Sequence, residues 1–258
     1  MTEAAQESIV IARQRAVVVA GLACLLLLSW AYTFWIAWEV YGGAHGAFGP
    51  HAGAWGASHL IYVVAMWLVM MTAMMVPSVS PTIVMFSELS LKYGEGEQSV
   101  ASTWIFVGGY LIAWAIFSVV ATGAQWGLKS AAMLTHVMET KSAMLGGAIL
   151  IAAGTFQFTP LKYACLQHCQ SPFAFFMAGW RPGRTGALSM GFRHGLYCVG
   201  CCWALMAVMF VGGVMNPLWL VALALFVLIE KLAPSVFRVG QLAGIALITA
   251  GIYMITLF

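Results

Sequence analysis

About seven stretches of this chain are apolar for long enough to cross a lipid bilayer or come close to it, and that fact limits the fold more than any motif. A spanning helix needs about 20 mainly apolar residues. The stretches cover roughly 16–38, 58–86, 101–126, 142–158, 186–211, 218–229 and 237–257. The second is interrupted by Pro77 and Pro81, and the sixth is the shortest. The expectation is an all-α, polytopic membrane helix bundle of about seven transmembrane helices, or six if the short sixth stretch does not span. Residues 1–258 form one integral membrane domain on this reading. The segment 172–180 is apolar but too short to span, so an interfacial or re-entrant piece is expected near 160–185. The segment 128–140 is mildly amphipathic and reads as a surface helix.

Charge poverty supports the same class. Only 7% of residues are charged, against roughly 25% in soluble domains, so the chain cannot clothe a globule in solvated side chains. Disorder, a disulfide-stapled secreted fold and a nucleic-acid partner are excluded by the same arithmetic, since the net charge of +3 is small and scattered. The expected partner is the bilayer itself, with other membrane or periplasmic subunits of a complex as further partners. The N-terminal apolar run is too long for a cleavable signal peptide.

With seven spans the loops alternate sides. One side then holds Arg13, Arg15, Lys92, Lys162, Arg181, Arg184, Lys231 and Arg238, and the other only Lys129 and Lys141. The positive-inside rule places the N-terminus in the cytoplasm and the C-terminus outside, for a multi-pass chain. Trp30, Trp35, Trp38, Trp55, Trp104 and Trp126 lie near span ends, where interfacial aromatics sit.

The chemistry is carried by sulfur. The chain has 16 Met, 6 Cys and no Asp. In the fifth stretch His194, Cys198, Cys201 and Cys202 fall within about 100° of one another at 3.6 residues per turn. Cys165 and Cys169 share a face at i, i+4 spacing, with His168 close to it. The second stretch contributes Met66, Met70 and Met74 as one ridge, with Met71 and Met75 beside it. Thiolate and thioether are soft donors that suit Cu(I), zinc or an iron–sulfur centre, whereas Mg or Ca would want carboxylates. Thiolates buried in lipid need a balancing cation. A metal supplies it most directly, with Arg193 and Lys162 as protein-borne candidates. The expected ligand set is Cys165, Cys169, Cys198, Cys201, Cys202, His194, His168, Met70 and Met74, with copper as the expected ion. Glu39, His45, His51 and His59 sit in or beside the first outer loop and could receive a cation from outside. Glu230, Lys231 and Glu88 lie at span ends on the cytoplasmic side, each in position to pair with a charge on a neighbouring span.

Three runs of residues resemble a bacterial family of predicted metal-binding integral membrane proteins of unknown function. They are Trp67-x2-Met70-Met71-x-Ala73-Met74-Met75-x-Pro77-Ser78, Pro160-Leu-Lys-x2-Cys165-x3-Cys169-x-Ser171-Pro172 and Gly195-x2-Cys198-x-Gly200-Cys201-Cys202-Trp203. The resemblance implies a metal at the five clustered cysteines and names neither the ion nor a reaction.

Metal handling at a Cys/Met/His cluster is therefore the leading function, either on its own or within a membrane metalloenzyme complex. A thiol–disulfide oxidoreductase using Cys198-x2-Cys201 and Cys165/Cys169 is the first alternative. A catalytic subunit of a membrane monooxygenase or oxidoreductase, which would need an open coordination position, and a small-molecule transporter are the others. No Gly-rich phosphate loop is present, which argues against a single-chain pump.

Overall fold

A computed structural model describes residues 3–41, 56–95, 99–135, 138–232 and 236–257. Ten α-helices are present among them. They are α1 (Glu3–Tyr41), α2 (Ala57–Ser90), α3 (Ser99–Ser130), α4 (Ala143–Phe156), α5 (Pro160–Gln170), α6 (Pro172–Met177), α7 (Gly183–Ala207), α8 (Met209–Gly212), α9 (Pro217–Leu232) and α10 (Val236–Leu257). A π-helical turn, Leu91–Glu95, extends α2. No strand forms among the described residues beyond one isolated bridge between Leu134 and Thr140.

Five helical segments are individually long and apolar enough to cross a membrane: Ile9–Val40, Ala57–Tyr93, Ser99–Ser130, Gly183–Gly212 and Val239–Leu257. A sixth crossing requires α4 and α5 to act together, and they are bent by 65° at their junction. The bend is local chemistry. Thr159 ends the α4 segment and caps α5, its hydroxyl accepting the Lys162 N–H at 3.3 Å, and Pro160 at the first helical position suits a start rather than a continuation. At the other end of α4 the Ser142 hydroxyl accepts the Leu145 N–H. The sixth apolar stretch lies in α9, whose 16 residues reach about 24 Å at 1.5 Å per residue, against a hydrocarbon slab of about 30 Å. It falls short of that length, so the described residues hold five helices long and apolar enough to cross, or six with the bent pair. The surface helix expected at 128–140 does not form. The α3 helix runs on to Ser130, and the chain then turns through Ala132 and Met138, both with positive φ.

The bundle is built on α2, α3 and α7. Parallel packing of α3 on α7 brings their backbones into contact at glycines. A Cβ on Gly191 would collide with the Phe106 carbonyl, and one on Gly109 with the Leu188 carbonyl. A Cβ on Gly195 would lie 2.9 Å from the Tyr110 carbonyl oxygen. Close backbone approach at small residues is how helices associate where no hydrophobic drive separates protein from lipid. Gly191→Ala should therefore destabilise the bundle by about 1–3 kcal/mol, the usual cost of overpacking, and thermal unfolding in detergent reads it. An unchanged midpoint would mean that α3 and α7 are not so closely apposed.

At the margin α4 and α10 pair antiparallel along a second glycine seam. Gly146 faces Met254, Gly147 faces Gly251 and Ile255, and Gly154 faces Gly244 and Ile248. Both α1 and α10 leave most of their surface uncovered, with Leu27, Trp38, Leu242 and Tyr253 exposed. The α2 helix continues through Pro77 and Pro81, and its run Met70 to Val76 is buried without a break.

Candidate metal centre

Helical periodicity on α7 places Cys198, Cys201 and Cys202 on its buried face, each at most 2% exposed. The Cys201 and Cys202 sulfurs lie 3.3 Å apart. Both thiols donate to the Cys198 carbonyl, at 3.1 and 2.9 Å. From α5, Cys169 turns inward and is buried beside Cys198 and Cys201. Four thiols from two helices thus share one dry site, and all six cysteines of the chain are free.

Three residues not singled out as ligands complete it. Tyr110 Oη of α3 lies 3.1 Å from Cys198 Sγ. Lys231 Nζ of α9 donates to the same sulfur at 2.9 Å and to Ser78 Oγ of α2 at 3.2 Å. The cation beside the thiols is therefore Lys231, and neither of the two residues first expected there. Lys162 is committed to Glu230 and Gln157 in a buried cluster. Arg193 lies over the Phe175 and Tyr197 rings, on the open side of α7. Glu230 does end in an ion pair, as its position at a span end suggests, and Glu88 pairs with Arg15 at 3.8 Å. Both Glu230 and Lys231 are buried, however, and do not sit at an aqueous boundary.

The remaining predicted ligands are distributed around this centre. Cys165 packs against Gly200 of α7, its sulfur 2.8 Å from where a Cβ there would stand. His168 is half-buried, donates from Nδ1 to the Ala164 carbonyl at 2.8 Å, and stacks on Tyr197 with ring centroids 4.1 Å apart. His194, one turn before Cys198, is buried among Phe106, Tyr110 and Phe175, and its Nδ1 has no hydrogen-bond partner. Met70 and Met74 are fully buried on α2, two turns and one turn before Ser78 on the same stripe. Met70 also borders a small gap with Met66, Met215 and Tyr32. Glu39 closes the last turns of α1 and His59 lies in the first turn of α2, whereas His45 and His51 lie outside the described residues.

An open cavity of about 540 Å³ lies between α5, α6 and α7, lined in part by Gln167, His168, Ser171, Phe175 and Arg193. Phe175 also packs edge-on against His194, so a single ring stands between this cavity and the residue that leads to Cys198. Among the described residues no group of three or more His, Cys, Asp or Glu side chains is disposed to hold a metal ion. The sulfurs are gathered, and the Lys231 ammonium sits against one of them.

The family model of the PpoB2 copper chaperones matches residues 64–254, well over half of the chain. The chain belongs to that copper chaperone family. The matched region contains the methionine stripe, all four clustered cysteines and Lys231. No curated protein and no solved structure matches the chain. A copper-handling family agrees with an all-sulfur donor set, since thiolate and thioether favour Cu(I); nothing in the match supports zinc or an iron–sulfur centre.

Proposed function

We propose that this chain is a multi-pass protein of the bacterial inner membrane that takes up Cu(I) on a pair of thiolates from the Cys169, Cys198, Cys201 and Cys202 cluster and passes it on. The observation that carries this reading is the convergence of four free thiols from α5 and α7 in one water-excluded place. Copper is cargo here. Soft, low-coordinate Cu(I) is satisfied by two sulfurs, and neighbouring sulfurs let it move by exchanging one ligand at a time. Met74 and Met70 offer neutral thioethers along α2 toward the same centre, and the cavity beside Phe175 offers an approach from the α5–α7 side. The N-terminus is cytoplasmic on this reading, and the recipient is a membrane or periplasmic copper protein.

The test is a Cu(I) titration of the full chain in detergent, anaerobically, against a chromophoric Cu(I) chelator. Retention of about one Cu(I) per chain is expected for a site built on a thiolate pair. A chain that loses all its copper to a chelator of micromolar affinity would overturn the reading.

A further inference from the structure

Among the described residues two lysines are buried in the bundle, and one of them is paired with a carboxylate. Lys162 is paired with Glu230, which is thereby spent. Lys231 is 5% exposed, and the groups that face it are Ser78 from α2, Cys169 from α5, and Cys198, Cys201 and Cys202 from α7, with Tyr110 of α3 on the far side of Cys198. Of the two side chains that Lys231 hydrogen-bonds among the described residues, Cys198 is the one that can carry a charge opposite to the ammonium. Net charge buried away from water is costly, and removing one partner of a buried pair is costlier than never having built it.

We propose that Lys231 is the fixed counter-cation that sets the valence of the ion this site accepts. Two thiolates and one ammonium leave a single negative charge. A monovalent ion such as Cu(I) brings the site to neutrality, whereas a divalent ion on the same two sulfurs leaves a buried excess positive charge. Recruiting further thiolates to a divalent ion is hindered, because the ammonium stands 2.9 Å from Cys198 Sγ, in one of that sulfur's coordination directions. Lys231 is a positioning and selecting residue, since it touches a ligand sulfur and need not touch the ion.

This inference rests on the copper reading above and deepens it to a choice of ion, so the experiment has separate arms. The full-length chain in detergent is offered Cu(I), and in parallel Zn(II) or Cd(II), as wild type, Lys231→Leu and Lys231→Arg. Wild type should retain Cu(I) and refuse the divalent ions. Lys231→Leu should lose about 10–100-fold in Cu(I) affinity, the range over which groups just outside the ligand set tune metal binding, and should gain Cd(II), visible as thiolate-to-metal absorption in the ultraviolet. Lys231→Arg keeps the charge and should keep the refusal of divalent ions. Wild type that binds Zn(II) or Cd(II) as well as Cu(I) overturns the proposal without any variant, as does Lys231→Leu with an unaltered Cu(I) to Cd(II) preference. Should Lys231→Leu fail to fold, the wild-type and Lys231→Arg arms still decide. Wild type that holds neither kind of ion sinks the copper reading and this inference with it.

Discussion

Replacing Cys198, Cys201 and Cys202 together by serine is expected to abolish Cu(I) retention, whereas Cys24→Ser and Cys165→Ser leave it unchanged. Serine nearly preserves the shape of cysteine but substitutes a hard, neutral hydroxyl for a soft thiolate, so the donor set is lost with little change of volume. The contrast within the series comes from position. Cys24 is exposed on α1, and Cys165 is turned toward Gly200, outside the cluster. Cys169, which contacts Cys198 and Cys201, belongs with the sensitive group. Among single changes Cys198→Ser should cost the most, because Cys198 alone meets both Tyr110 and Lys231, and its loss strands the ammonium. The measurement is copper per chain after a chelator wash. Equal loss in Cys165→Ser and Cys198→Ser would mean that the cluster drawn here is the wrong one.

Glu230→Leu is expected to produce the largest loss of stability, about 3–5 kcal/mol, the cost of removing one partner of a buried ion pair. Lys162 would keep only Gln157 in surroundings where its side chain is 1% exposed. For a chain of this size such a loss lowers Tm by roughly 6–20 °C. The double change Glu230→Leu with Lys162→Leu should recover most of it, since replacing both charges by apolar groups of similar bulk is often close to neutral. A double variant no better than the single one would show that the charges themselves matter little, and that packing at the α4–α5 junction carries the effect.

The helical class and the thiol stripe of α7 were legible in the sequence because a single helix's periodicity fixes which residues share a face. Depth was harder to read. Glu230 and Lys231 look like charges closing a span at the water boundary, and their burial comes from α2, α5 and α7 packing over the end of α9, which one helix's pattern does not announce. The same error inflated the basic count on the cytoplasmic side, where Lys162 and Lys231 are interior groups and not loop charges. Cys165 and Cys169 cannot be ranked by i, i+4 spacing, because both face α7 and which of them reaches its thiols depends on the 65° bend before them. Tyr110 gave no signal at all. An aromatic in an apolar run announces nothing about the sulfur it meets from another helix.

The order of the chain also bears on how the site comes into being. Its thiols are synthesised first, at 169 and 198–202, and the ammonium that balances them follows at 231, after the turn into α9. Through that interval the sulfurs are present without their counter-charge. The cluster and its cation come together only once α9 has packed against α7, so the donor set and the group that balances it are supplied by separate stretches of chain.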